Sequence, residues 1–406
     1  MPRKSTSSPI LRLFNWDNLG LYSCILALVV LGSKLYFLTL AFLHVPDALR
    51  YSDFFVFYAA AQILETENAT SLLDPTLLNA QLGALFNFEA LRAAGLNVEQ
   101  YWLYPPTIFP WIKPLGPLPA HLALMLYYVL SLTLWFYVVR RYFRAQSTLS
   151  ILPVLFAPIV FVNFSFEQNG IFSACILIAF ISILRLNGSA IWLGVLATCL
   201  LFKPTLGLLI PVVLILERRW DGLVWSSILG GAYVAFVTWV WGIEYWIALF
   251  ETHRDFQPLV EAGLYAQYAI SAYGFFQQLG LGHIVSLWLH AAAAVAMLFC
   301  FIGIWHSQDW NLRCAAFLLI SPLLSSYGNI YDFVPAAFAI GLLYPVFSKW
   351  KWGPVALGLF WFAPIAFRPE VNILGALEMP ILNFALIGFL TWIALTQNYA
   401  SSSESQ

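Results

Sequence analysis

From about residue 19 to residue 396 the chain alternates apolar runs with short polar interruptions, and many runs approach the roughly 20 residues that cross the hydrocarbon core of a bilayer. The runs read as 19–43, 120–139, 149–166, 170–185, 189–203, 205–216, 220–243, 283–305, 312–328, 332–348, 352–367 and 375–396, giving about twelve membrane segments in an all-α, polytopic bundle. Several are short for a full crossing. The pair 189–203 and 205–216, hinged at Lys203-Pro204, is either two crossings or a re-entrant hairpin. Periodicity does not assign their faces, because buried spans are apolar all round. Only 10% of the residues are charged, against roughly 25% in a soluble domain, too few to clothe a water-facing surface. Soluble enzymes, nucleic-acid binders and coiled coils are thereby excluded, and no nucleic acid is expected as a partner. The net charge of −1 says nothing about partners. The five cysteines all lie in apolar runs without a CxxC pair, so neither a disulfide framework nor a zinc site is expected.

Lys and Arg near helix ends favour the cytoplasm. Arg3, Lys4 and Arg12 precede the first run; Arg140, Arg141 and Arg144, then Arg185, Arg218 and Arg219, Arg313, and Lys349 and Lys351 mark later turns. With twelve segments all of these share one face, so both termini are expected in the cytoplasm, and residues 1–18 lead into an uncleaved signal anchor. The opposite face collects most of the carboxylates and few cations. Two long connections lie there, 44–119 and 244–282. In the first, Phe54–Leu64 and Pro75–Ala94 show helical spacing and are expected to lie as amphipathic helices in the interface. In the second, aromatics such as Tyr245, Tyr265, Tyr268 and Tyr273 interleave with charges. Long loops in a compact fold are usually functional. No separate soluble domain is visible; residues 1–406 form one membrane domain, with 397–406 expected to be disordered.

Ionisable groups at or near membrane depth are costly and are candidates for function. Five places qualify. Tyr51-Ser52-Asp53, followed by Phe54 to Tyr58, holds one carboxylate among aromatics; Ser52 or Asp53 is either a helix cap or, for Asp53, a general base. Tyr101-Trp102-Leu103-Tyr104-Pro105-Pro106 reads as an interfacial anchor and an extended helix entry. In Glu167-Gln168-Asn169-Gly170 a tight turn explains the last two residues but does not require Glu167 or Gln168. Lys203-Pro204-Thr205 places an ammonium after an apolar run, where it either snorkels to the interface or meets an anion, a phosphate being the natural one where a proline frees helix-end amides. Its nearest carboxylate in sequence, Glu217, falls on the other side. Finally, Ser325 to Asp332 ends in Tyr331-Asp332 at a helix mouth, where Asp332 is a possible cap. All five sit toward one face, and aromatics with carboxylates suit sugar rings while a membrane-facing lysine suits a lipid phosphate.

The ordered set Ser52-Asp53-Phe54, Tyr104-Pro105-Pro106, Gln168-Asn169-Gly170, Lys203-Pro204, and Ser321-Pro322 with Tyr331-Asp332 resembles glycosyltransferase family 87, the polyprenyl-phosphate-mannose-type transferases of the GT-C superfamily, over roughly residues 20–350. It departs from that family at Glu167, where glycine is expected, and at Ser326 to Asn329, which intervene before Tyr331. The resemblance implies a GT-C fold and an inverting transfer of a mannose-like hexose from a polyprenyl-phosphate carrier to an acceptor hydroxyl on a glycan or glycolipid. The reaction would lie at the outer face of a bacterial-type plasma membrane among its lipids, without a cofactor. It implies Asp53 as general base, donor and phosphate contacts at Lys203, Tyr104, Gln168 and Asn169, an acceptor pocket at Tyr51, Tyr58, Glu167, Tyr331 and Asp332, and no metal site. Rival readings are a lipid or solute transporter or glycan flippase, which should show repeated broken helices and midplane polar groups, a lipid-linked glycan polymerase or ligase, and a scaffold subunit.

Overall fold

The computed structural model describes residues 13–44, 49–88, 100–263, 266, 269–366 and 378–403. Arg3, Lys4, Arg12, Asp47, Glu89, Arg92, Glu99, Tyr265, Tyr268, Arg368 and Glu370 lie outside them, as do residues 89–94 of the expected helix to Ala94. The described residues are helical with no strand; a single antiparallel bridge joins Ala269 to Asn329.

Among the described residues six helices are long and apolar enough to cross a membrane: Trp16–Phe42, Ala120–Tyr142, Trp220–Trp241, His283–Trp305, Ile330–Phe347 and Met379–Thr396. A seventh results if Thr148–Leu155 and Pro158–Phe166 count as one span, bent by 48°, where Pro158 has no N–H to continue the first helix. By length and composition the described residues thus give six or seven full crossings where about twelve segments were expected. The remainder are shorter apolar helices, Gly170–Arg185, Ala190–Phe202, Pro204–Leu216, Trp310–Leu324 and Gly353–Ile365. Turn residues cut them short: Asn187 is left-handed at φ 48 beside Gly188, and Pro204 follows the Lys203 break.

Burial sorts the helices into a centre and a surround. Leu312, Cys314 through Ile320 and most of Pro335–Phe347 are buried, together with one broad side of Gly170–Arg185. Trp16–Phe42, Trp220–Trp241 and His283–Trp305 instead expose Leu28, Val29, Trp239, Trp288 and Phe299. An apolar surface this extensive needs lipid against it.

Tertiary hydrogen bonds distinguish two ends. At one end Thr107 Oγ1 donates to the Leu201 carbonyl at 2.6 Å, Ser271 Oγ to the Ser326 carbonyl at 2.6 Å, and the Ile270 N–H to the Gly328 carbonyl at 2.9 Å. At the other, Trp16 Nε1 donates to the Ser150 carbonyl at 2.6 Å, Arg219 to the Gly188 carbonyl at 2.8 Å, and Trp305 Nε1 to Glu217 Oε1 at 2.8 Å. The second end also holds the Arg185–Tyr142 bond and the Arg313–Glu217 ion pair. Among the described residues Arg185, Arg219 and Arg313 therefore gather at one end and the polar motifs singled out above gather at the other.

One expectation needs correction. The helix around Phe54–Leu64 spans Asp53–Thr66 and is buried without interruption from Phe54 to Ala61, so it is an internal element and not an interfacial one. Its periodicity is weak because nearly every face packs on protein. Pro75–Leu85 does show a single buried stripe, Leu78 and Leu82. The last helix is Glu378–Ser403.

Candidate functional site

Asp53 opens its helix in the first turn, behind Ser52, which is extended at φ −157 and ψ 169. Ser52 occupies the capping position without a side-chain cap bond. Its hydroxyl donates to Glu167 instead. Asp53, half-buried, accepts a 2.9 Å hydrogen bond on Oδ2 from Gln168 Nε2. Neighbouring residues Ser52 and Asp53 are thus bonded to neighbouring residues of the 167–170 turn.

That turn is built by an exception to backbone preference. Glu167 adopts the left-handed conformation at φ 55 after Pro158–Phe166 ends, an uncommon conformation for a residue with a Cβ. The turn carries Glu167 into a site where it is 3% exposed and accepts from Lys34 Nζ at 2.6 Å, from Ser52 and from Tyr128. Lys34 was missed by sequence reasoning. The signal that could have found it is that it is the only charged residue inside the first apolar run beyond Asp17.

Lys203 meets a carboxylate 129 positions away: its Nζ lies 2.5 Å from Asp332 Oδ1, with the Lys203 side chain 15% and the Asp332 side chain 1% exposed. Snorkelling is excluded by this burial. The ammonium also sits 4.8 Å from the centre of the Tyr331 ring, a cation–π contact. Asp332 closes a capping box with Asn329, its Oδ2 accepting from the Asn329 N–H at 3.2 Å. It is both cap and counter-ion. Glu217 pairs with Arg313 at 3.2 Å at the other end.

Gly170 packs the 167–170 turn against the Tyr331 backbone. A Cβ there would lie 1.9 Å from the Tyr331 carbonyl oxygen and 2.7 Å from Asn163 Oδ1, so Gly170 is required by close approach and not merely by a turn. Gly170→Ala should therefore destabilise the protein by at least about 1–3 kcal/mol, read as a lowered thermal midpoint; an unchanged midpoint would show that this contact is loose.

The Tyr104 segment forms a further wall. Pro105 is extended at φ −67 and ψ 159, and a short 3₁₀ turn follows over Pro106–Ile108. Tyr245 donates to the Tyr104 carbonyl at 2.9 Å and accepts from Trp102 Nε1 at 2.9 Å. The Tyr104 hydroxyl accepts from Asn169 Nδ2 at 3.3 Å, and burial keeps that hydroxyl protonated by raising it above its ordinary 10.0. Asn169 Oδ1 is buried with no hydrogen-bond partner among the described residues, an acceptor left open in the wall. The structure thus brings Asp53, Gln168, Asn169, Tyr104, Lys203, Tyr331 and Asp332 together. Two expected pocket residues stand apart. The Tyr58 hydroxyl is committed to the Leu118 carbonyl at 2.7 Å, and Tyr51 packs edge-on to Phe86 and Phe88 at 5.4 and 6.2 Å.

The carboxylates are not equivalent. Glu167 is occupied by three donors and Asp332 has both oxygens engaged. Asp53 accepts only from Gln168 among the described residues, leaving Oδ1 open. Burial pushes its carboxyl from 3.8 up to about 6; the Gln168 hydrogen bond and the Lys203 charge pull it down, and Glu167 adds to the rise. The mutual effect of Asp53 and Lys203 puts them in one electrostatic environment. Among the described residues no group of three His, Cys, Asp or Glu side chains is placed to hold a metal ion.

The model of glycosyltransferase family 87 matches residues 102–326, more than half of the chain. The match contains Tyr104, Gln168, Asn169 and Lys203 and ends short of Asp53 and Asp332, which the fold brings to the same place. No curated protein and no solved structure matches.

Proposed function

The chain belongs to glycosyltransferase family 87 and is a glycosyltransferase, and from that premise we propose that it moves a mannose-like hexose from a polyprenyl-phosphate carrier to an acceptor hydroxyl, with inversion, at the outer face of a bacterial-type plasma membrane. The observation that carries this reading is a carboxylate with one oxygen open, Asp53, held by Gln168 within the electrostatic reach of a buried lysine, Lys203. The acceptor O–H gives its proton to Asp53 Oδ1 as its oxygen bonds to the anomeric carbon. The bond from that carbon to the phosphate oxygen breaks on the opposite side, so the configuration inverts. The leaving lipid phosphate gathers negative charge, which the Lys203 ammonium meets; Asp332 keeps that ammonium in place. A phosphate is already a good leaving group, so a second carboxylate flanking the bond, as in many glycoside hydrolases, is not required. Glu167, already held by Lys34, is unsuited to take a proton.

Orientation follows from charge: the basic turns lie at one end and the site at the other, so with Lys and Arg retained in the cytoplasm the site faces outward and both termini inward. On this reading Gly170–Arg185, Ala190–Phe202, Pro204–Leu216 and Trp310–Leu324 also cross, a reading supported by their ends alternating between the two hydrogen-bonded sets.

Purified protein incubated with polyprenyl-phosphate hexoses and a membrane lipid extract should yield a new glycoside by mass spectrometry. No product from any hexose carrier would sink the donor assignment. A pH profile gives a second test. A base must be ionised to act, so kcat/KM should fall about tenfold per unit below an apparent pKa of about 6 and level off above it. In Gln168→Leu the limb should move to higher pH, because a hydrogen bond that favours the anion is gone. A profile flat down to pH 5 would exclude Asp53 as the titrating base.

A further inference from the structure

Two hydrogen bonds run side by side between the segments that meet at the site. Ser52 donates to Glu167, and the next residues along the chain, Gln168 and Asp53, bond at 2.9 Å. Only the second bond involves the base. The first is fastened from outside: Lys34, on Trp16–Phe42, reaches Glu167 Oε1 at 2.6 Å, and Tyr128, on Ala120–Tyr142, donates to the same oxygen. An ionisable side chain inside a membrane-spanning helix is costly and by default marks function. Glu167, which receives it, is held in the left-handed conformation at φ 55. Backbone strain of that kind persists where the surroundings over-determine it, and it clusters at functional sites.

The Glu167 side chain is 4% exposed and already has three donors, so it has little surface to offer a substrate. What it reaches is Ser52, and through Ser52 the first turn that carries Asp53. Gln168 is fixed separately: the Tyr127 hydroxyl donates to its carbonyl at 2.9 Å, and its N–H donates to the Asn163 carbonyl at 3.3 Å. The surrounding charges are divided. Burial pushes the Asp53 carboxyl up and Glu167 adds to that rise, while the Gln168 hydrogen bond and Lys203 pull it down. Tyr104, Tyr127 and Tyr331 lie within reach of its charge. Asp332 is paired with Lys203, and Lys34 with Glu167.

We infer that Lys34 and Glu167 are positioning residues for the transfer: clamped to each other they hold Ser52, and Ser52 holds Asp53 against Gln168 with Oδ1 free. Neither touches the substrate. The inference deepens the transferase reading above and rests on it for the chemistry, whereas the hold on Asp53 is a property of the folded chain with or without substrate.

Two readouts keep these apart. The first is infrared difference spectroscopy of the purified full chain across pH, following the protonated-carboxyl band that Asp53→Asn abolishes. Glu167→Gln keeps an acceptor for Ser52 and Tyr128 but removes the neighbouring charge, so the Asp53 midpoint should move below about 6. Ser52→Ala leaves Lys34, Tyr128 and Glu167 joined but releases Asp53 from the clamp; its bond to Gln168 loosens, and the midpoint should move up. A tie that merely joins helices predicts no shift in Ser52→Ala, and an unmoved midpoint there would overturn the positioning role. An unmoved midpoint in Glu167→Gln would separate the pair from the base altogether.

The second readout is turnover. Lys34→Met should lower kcat about 10- to 100-fold, the scale of a small misplacement of a reacting group. Donor KM should not change, because Lys203 is untouched, and Lys34→Arg should retain most of the rate. Ser52→Ala should lower kcat in the same way, and adding it to Lys34→Met should cost nothing further, since both changes cut one line of support. Losses that multiply, or a full rate in Lys34→Met, would overturn the inference. Should Lys34→Met fail to fold, Ser52→Ala decides, having lost a single hydroxyl. If wild type transfers no hexose at all, the transferase reading fails while the infrared midpoints still decide the hold on Asp53.

Discussion

Asp53→Asn should reduce hexose transfer by about 10²–10⁴-fold, the range expected when a positioned general base is lost, and should leave folding intact. The substitution is close to isosteric, and an asparagine oxygen can still accept from Gln168 Nε2, which now bonds Asp53 at 2.9 Å. The stability effect has a definite sign. The folded carboxyl has its pKa raised from 3.8 to about 6, so folding favours the protonated form. Its contribution to stability is present below about pH 4 and is lost as the pH rises to about 6, remaining absent at neutrality. At pH 7 the neutral variant should therefore melt no lower than wild type, and higher if burial is the dominant cost. This pairing of inactivity with undiminished stability is what a costly functional charge produces. Near-normal turnover in Asp53→Asn would remove the base assignment. Lost turnover with a collapsed thermal midpoint would reduce Asp53 to a structural residue.

Lys203→Ala should be the most damaging single change for stability. It leaves Asp332, 1% exposed, without its counter-ion; breaking a buried pair from one side costs about 3–5 kcal/mol, moderated if the orphan takes up a proton. Adding Asp332→Asn should restore much of the lost thermal midpoint, because a neutral amide no longer needs the ammonium. It should not restore donor binding. In the double variant donor KM should stay raised about tenfold or more, since a charge-assisted contact to phosphate is worth about 1.5–3 kcal/mol. Recovered stability with an unchanged donor KM would return Lys203 to a purely structural ion pair.

Some of this was legible in the residues. The apolar runs gave the helical, membrane class, and each expected segment has a helix or bent helix pair, with full length reached only in part because Pro158, Asn187-Gly188 and Lys203-Pro204 interrupt the chain. The polar motifs pointed to one end because each interrupts an apolar run at the same end of its helices. Pairing was not legible. Lys203 and Asp332 are separated by 129 positions and Asp53 and Gln168 by 115, and nothing local encodes such partners. Ser52 read as a cap because serine before a helix usually is one; its hydroxyl goes to Glu167, a choice made by tertiary approach. The resemblance put Tyr58 in the pocket, whereas its hydroxyl donates to the Leu118 carbonyl. Lys34 escaped because one cation in a long apolar run leaves hydropathy nearly unchanged. Which of three carboxylates could accept a proton depended on counting donors around Glu167, Asp332 and Asp53, which no spacing reveals.

The most direct test is the anomeric configuration of the product. Purified protein is given a polyprenyl-phosphate hexose of defined anomeric configuration and a lipid acceptor, and the isolated glycoside is examined by NMR. Attack assisted by Asp53 on the face opposite a Lys203-bound phosphate gives a single glycoside of inverted configuration. A product that retains the donor's configuration would contradict the account, because it would require a second displacement that this arrangement of side chains was not invoked to perform.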